Sequence, residues 1–310
     1  MTKKELVKRA IAFGAPERVP IWMFNRDRKE GDILCCGLDL PLDGRSEWGY
    51  EFESLDSTMG QVKKPVLPAW DALAAFPFPE LRQELRLARA REFVASAGDH
   101  YLVGGLGITG FNLYTFLRGF GNAMMDFLAD RERAEPLLDR IMGFETELIA
   151  IAAQAGVDGV HFADDWGSQE GLLVAPDLWR SLFKPRYEAQ FRHARDLGLE
   201  VWFHSCGNIT DIVPDMHEIG VDVMNISQPN ACDLDLLGAL LRGKQCFLIP
   251  ISYQTDSISG TPERIIETAR RQYRLLGTPR GGFIGYVEEY GCMGMTEENY
   301  QACVTAFQNL

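Results

Sequence analysis

The chain of 310 residues carries 31 Lys and Arg against 44 Asp and Glu, a formal net charge of −13, which would repel a phosphate backbone and argues against a nucleic-acid partner. Hydrophobic residues make up 46% and charged residues 24%, an ordinary globular balance with enough apolar mass for one large barrel or two small domains. No apolar run approaches the roughly 20 residues that span a bilayer, and the opening Met1-Thr-Lys-Lys-Glu-Leu-Val-Lys-Arg lacks an apolar signal core, so a cytoplasmic protein without membrane contact is expected. Seven cysteines, an odd number scattered through the chain, do not form a disulfide framework; in a reducing compartment they remain available as packing groups or metal ligands.

Short apolar or β-branched runs recur, each followed by a longer helical pattern, at residues 18–24, 101–109, 159–165, 200–206, 221–226, 245–252 and 281–287. Between the first two, Trp48-Gly-Tyr-Glu-Phe-Glu and Leu55-Asp-Ser-Thr-Met-Gly-Gln-Val alternate enough to predict a short hairpin within residues 47–65, inserted before the second barrel strand. Gly156 closes one helix; Pro176 opens the next, whose pattern Leu178, Leu182, Phe183, Tyr187, Phe191 runs to Gly198. Seven strands with crossover helices suit a (β/α)8 TIM barrel with one strand unassigned, but an open doubly wound sheet has the same local signature. No linker or repeat divides the chain, so residues 1–310 are expected to form one domain.

The densest chemical signal is Val201-Trp-Phe-His-Ser-Cys-Gly-Asn208. Residues two apart on a strand point the same way, so His204 and Cys206 would project together from the carboxyl end, where barrel enzymes place their sites. Imidazole and thiolate are zinc ligands, and a catalytic zinc needs a third while keeping one position open. Cys246 starts its strand, at the wrong end, and Cys303 lies in the helical stretch 296–307. Cys232, after the run 221–226, and Cys292, in Glu288-Glu-Tyr-Gly-Cys-Met-Gly after the last run, both fall at the correct face; flanking glycines favour Cys292.

Other polar groups follow the strands. After the run 159–165 stands His161-Phe-Ala-Asp-Asp-Trp-Gly-Ser-Gln169, whose Asp164, Asp165 and Gln169 are candidate catalytic residues, with capping and backbone bonds the alternative for both aspartates. His161, at an inner strand position, reads as a core histidine. Arg26 and Arg28 could grip a carboxylate or phosphate, or pair with local acids. Asn225, Gln228 and Tyr253 are candidate cofactor contacts, with Gln254 beside them.

The chain resembles the uroporphyrinogen decarboxylase-like superfamily, which joins decarboxylases of haem biosynthesis to cobalamin-dependent methyltransferases. The resemblance runs over nearly the full length, through Arg18-Val-Pro-Ile-Trp-Met, Glu47-Trp-Gly to Met59-Gly-Gln, Arg118-Gly-Phe, Asp164-Asp-Trp-Gly-Ser-Gln, Phe183-Lys-Pro-Arg-Tyr187 and His204-Ser-Cys-Gly-Asn. It implies a distorted (β/α)8 barrel, and so resolves the choice of fold. The decarboxylases' Arg-Gln-Ala-Gly-Arg motif falls on Phe24-Asn-Arg-Asp-Arg28, their substrate tyrosine on Phe116, and their late Gly-His-Gly on Gly291-Cys292-Met293, so all three matches fail. The methyltransferase branch has a His-x-Cys pair and a distant Gly-Cys as zinc ligands, which map onto His204, Cys206 and Cys292. What the resemblance implies is therefore a zinc-dependent methyltransferase working with a corrinoid cofactor or corrinoid protein on a thiol or methyl ether. Tetrapyrrole decarboxylation and a non-catalytic corrinoid-binding barrel are the rivals, and a homodimer is expected by analogy with the decarboxylases.

Overall fold

The computed structural model describes residues 1–41, 43–53 and 60–310. Its strands are β1 Ile21–Met23, β2 Ile33–Gly37, β3 Tyr101–Ile108, β4 Gly159–Ala163, β5 Glu200–Ser205, β6 Val223–Ile226, β7 Cys246–Pro250 and β8 Phe283–Val287. All pair in parallel in the order β1-β8-β7-β6-β5-β4-β3-β2. Where β1 meets β2 a carboxylate replaces the ladder. The Asp32 amide donates to the Ile21 carbonyl at 2.8 Å. The Asp32 side chain, 1% exposed, accepts from the Ile21 amide at 2.8 Å and from both terminal nitrogens of Arg18 at 2.8 and 2.6 Å. The sheet thus closes into the expected (β/α)8 barrel, distorted at that seam. Asp32→Ala is expected to cost about 2–3 kcal/mol, since it orphans a buried amide and breaks a paired charge; the urea midpoint measures it.

The strand unassigned from the sequence is β2. It follows β1 with no crossover helix, and its short apolar run Ile33-Leu-Cys-Cys is followed by no α-helix until Gln83, so the run-then-helix signature is incomplete there. The 47–65 insertion therefore follows the second strand rather than preceding it. Glu53 and Gln61 form an antiparallel bridge, and the hairpin tip lies outside the described residues. Its base packs on the helical layer: Glu47 pairs with Arg86, and the Trp48 and Phe144 rings lie 5.3 Å apart.

Helices surround the sheet: α1 Lys3–Ile11, α2 Gln83–Ser96, α3 Gly110–Arg118, α4 Phe120–Ala129, α5 Arg131–Ala155, α6 Pro176–Leu182, α7 Lys184–Asp196, α8 Val213–Glu218, α9 Leu234–Leu241, α10 Pro262–Leu276 and α11 Glu297–Gln308. The single helix expected after Pro176 is split in two, because Pro185 has no amide to continue α6 and sits in the first turn of α7. Among the described residues, no helix is long and apolar enough to cross a membrane.

Inside the barrel, Trp22, Tyr101, Trp202, Leu248 and Ile284 pack with Val7 and Ala10 of α1. Helix α1 thus plugs the end where the strands begin, held by Lys4 and Lys8 on Asp158 at 2.7 and 3.3 Å. The opposite end, where the strands finish, carries His204 and Cys206.

Glu145 of α5 is 2% exposed, accepting from the Gly110 amide at 2.7 Å and from Gln190 at 2.9 Å. Burial raises its carboxyl to about 7 despite those bonds. An acid raised in the native state holds its proton there after the unfolded chain has lost it. Stability is therefore expected to fall between about pH 4.5 and 7, by about 3 kcal/mol from this group at 1.36 kcal/mol per unit. The difference between wild type and Glu145→Gln in denaturant titrations across that window should show it, with the variant flatter.

A candidate metal centre at the open end of the barrel

Strand β5 points His204 to the same inner face as Trp202, at the barrel mouth, and turns Ser205 to the opposite face, buried, where its hydroxyl accepts from the Trp166 amide at 2.9 Å. Cys206 follows on the same side as His204, Sγ lying 3.7 Å from Nε2. In the β5–β6 register Asn225 stands beside His204, and its Oδ1 lies 2.6 Å from Nδ1. The Asn225 amide group donates to the Leu248 carbonyl at 2.8 Å, so its oxygen must face the imidazole. Nδ1 then carries the hydrogen, and Nε2 is the atom free to bind a metal.

Asp165, at the end of β4, accepts from the Cys206 amide at 2.7 Å and lies 3.4 Å from His204 Nε2 through the same oxygen. One donor atom from each of Asp165, His204 and Cys206 falls within 4.8 Å of the other two, a grouping able to hold a metal ion. Burial works against a charged His204, but Asp165 and Cys206 overcome it and hold the imidazole well above its ordinary range. Burial likewise opposes ionisation of Asp165, which His204 and the Cys206 amide bring down to about 2. The anionic surroundings that draw a proton here would also draw a metal cation.

Of the three ligands expected from the sequence, two are brought together. Cys292 is exposed, on the 3-10 turn Gly291–Met293 beyond β8, and the third donor in the cluster is Asp165. Cys232 is buried beneath the loop, its thiol donating to the Gly207 carbonyl at 3.4 Å. Cys246 sits in the barrel interior at the start of β7 and Cys303 on the buried face of α11; burial pushes the Cys303 thiol up to about 12.

The other candidates divide by burial. Asp164 is wholly buried and accepts from the Phe111 and Asn112 amides at 2.9 and 2.7 Å and from the Tyr187 hydroxyl. It caps the N-terminus of α3, and Gly110, at φ 46°, is the residue that lets the helix approach: a Cβ there would run into this carboxylate. Gln169 and Gln228 lie at the mouth, linked at 2.6 Å. Gln228 also receives the Gly207 amide at 3.1 Å and donates to Tyr253 at 2.5 Å, while Gln254 donates to Gln169 at 3.1 Å. This amide chain joins the loops after β4, β6 and β7. His161 lies between the rings of Trp22 and His204, at 5.4 and 6.0 Å, and burial lowers it to about 3, so it is a neutral ring. Arg26 is clamped by Glu297 at 2.7 and 3.1 Å, and Arg28 donates to the Cys35 carbonyl at 2.9 Å. Both arginines are engaged locally.

One group was not expected. Glu288, just past β8, accepts from the hydroxyls of Tyr286 and Tyr290 at 3.1 and 2.8 Å. Its position directly after a strand, two residues from each tyrosine, was the available signal.

A nearly closed parallel barrel with helices between its strands defines an α/β barrel, and its candidate site gathers where the strands end. Residues 47–305 match the uroporphyrinogen decarboxylase (URO-D) family, and the chain belongs to it. No curated protein sequence matches it. Among solved structures, a methyltransferase from Methanosarcina mazei superposes with a TM-score of 0.73 at 15% identity, over 100% of this chain and 99% of its own; at that identity the likeness is one of fold. Native xylanase 10B from Thermotoga maritima (TM-score 0.45, 11% identity, 100% of this chain and 98% of its own) and a D-psicose 3-epimerase from Clostridium cellulolyticum H10 (0.43, 8%, 93% and 92%) are looser likenesses.

Proposed function

We propose that this chain is a zinc-dependent methyltransferase that works with a corrinoid cofactor, free or on a partner protein, and moves a methyl group to or from a small thiol or methyl-ether substrate. The observation that carries the reading is the convergence of His204 Nε2 and Cys206 Sγ, with the imidazole tautomer fixed by Asn225. Nitrogen and sulfur donors with a hydrogen-bonded histidine are the donor chemistry of a protein zinc site. His204 and Cys206 would hold the ion, completed by Asp165 or by Cys292. Bound there, zinc would supply Lewis acidity, lowering the pKa of a thiol or polarising an ether oxygen. The fold likeness to a methyltransferase agrees with this reading.

The chain's own residues do the rest. Asn225 orients His204, and Asp165 ties the Cys206 backbone to β4. Gln169, Gln228 and Tyr253 present amide and phenol groups to a substrate or corrinoid side chain. Asp164 acts from below, as the cap that fixes α3 against β4. Decarboxylation of a polycarboxylate has less support, because Arg26 and Arg28 are already engaged.

The test is spectroscopic: purified protein, methylcobalamin and a panel of thiols, following loss of the methyl-cobalt absorbance. Thiol-dependent turnover supports the reading. Cobalamin binding without transfer to any thiol, or from any methyl ether, would indicate a non-catalytic corrinoid protein, and coproporphyrinogen formed from uroporphyrinogen would indicate a decarboxylase.

A further inference from the structure

Five of the loops at the open end have one sign, whereas those after β1 and β2 carry cations, among them Arg26, which Glu297 clamps. Residues 164–175, 206–212, 227–233, 251–261 and 288–296 contain eight Asp and Glu and not one Lys or Arg. Some of these carboxylates are engaged within the fold: Asp164 is capped, Asp233 caps α9 at 2.9 Å, and Asp256 meets Arg264 at 3.5 Å. Asp165 lies in the candidate metal cluster. Glu288 is different: it is half-buried at the mouth and, among the described residues, has phenol partners but no cation.

Aromatic rings form an arc around it. Phe24 lies 5.6 Å from Tyr286, the hydroxyls of Tyr286 and Tyr290 meet on Glu288, and Tyr290 lies 5.0 Å from Tyr253. Phe24 is 39% exposed while Tyr286 and Tyr290 are 6% and 4% exposed, so the arc meets solvent at Phe24, and Trp22 lies behind it, 5.8 Å from Tyr286.

We infer that Glu288 and the arc of Phe24, Tyr286, Tyr290 and Tyr253 receive a permanently cationic, methylated onium head group, a quaternary ammonium or a sulfonium, on the substrate that enters this cleft. Such a cation is large, weakly hydrated and without a hydrogen to donate, so ring faces and one carboxylate at a distance suit it better than a hydrogen-bonding clamp. A carboxylate, sulfonate or phosphate would enter a cleft whose five loops offer it no countercharge, with the field against it. A neutral head group would leave Glu288 half-buried and unpaired by any cation. The inference deepens the proposed function and rests on a small methyl-bearing molecule entering at this face.

Calorimetric titration of the full chain tests it, with choline, tetramethylammonium, trimethylsulfonium, the uncharged choline isostere 3,3-dimethylbutan-1-ol, and 2-(methylthio)ethanesulfonate. Choline should bind roughly tenfold or more tighter than its uncharged isostere, and the sulfonate should not bind; the ammonium-to-sulfonium ratio tells the two sources apart. Glu288→Gln should lose about tenfold for choline with little change for the isostere. Equal binding of choline and isostere, or unchanged choline affinity in folded Glu288→Gln, overturns the inference. Should that variant unfold, the wild-type comparison still decides. Titrations run without corrinoid or thiol, in zinc-loaded and zinc-stripped protein, so failure here is separate from failure of methyl transfer.

Discussion

Cys206→Ser is expected to keep the barrel and lose the chemistry: native-like circular dichroism, with thiol-dependent methyl transfer reduced on the order of 1000-fold. Loss of a residue that only orients a ligand typically costs 10- to 100-fold in metal affinity or activity, and loss of a ligand should exceed that. The same reasoning orders a second variant. Asn225→Ala leaves all donor atoms in place but frees His204 to rotate and change tautomer, so zinc affinity should fall roughly 10- to 100-fold, short of the loss at Cys206. The ratio of the two effects, measured by competition with a chromophoric chelator, distinguishes ligand from support. If Asn225→Ala proved as damaging as Cys206→Ser, the two would be parts of a folding unit rather than ligand and second partner.

Asp164→Ala is expected to have the largest effect on stability, about 3–4 kcal/mol. It removes the acceptor of two buried helix amides and of the Tyr187 hydroxyl at once, and each orphaned donor costs about 1–3 kcal/mol, less what water can recover. Denaturant unfolding would register this as a lower midpoint, and the folded fraction should still bind zinc. Stability within about 0.5 kcal/mol of wild type together with lost turnover would instead make Asp164 a residue that meets the substrate.

The sequence made six of the eight strands legible through apolar runs followed by helical punctuation, and β1 through its apolar end. Strand β2 stayed hidden because the distortion that defines this barrel removes the crossover helix before it and replaces a ladder with Asp32. His204 and Cys206 could be paired from sequence because two-residue spacing on a strand is a local property. Asp165 could not be joined to them the same way: its place beside Cys206 depends on the β4–β5 register, in which Ala163 stands opposite His204. Asn225 reached the site by the same kind of cross-strand step, from β6. Glu288 was written in the sequence beside Cys292, but its meaning depends on the absence of cations from five separated loops, which becomes visible only when the fold gathers them at one end.

Metal stoichiometry of the purified protein decides whether His204 and Cys206 hold a zinc ion. Wild type is expected to hold one zinc per chain and Cys206→Ser to hold almost none. Parallel analysis of Asp165→Asn and Cys292→Ser then identifies the third ligand by which of them also loses the ion. Wild-type protein that transfers methyl groups while free of zinc would contradict the claim.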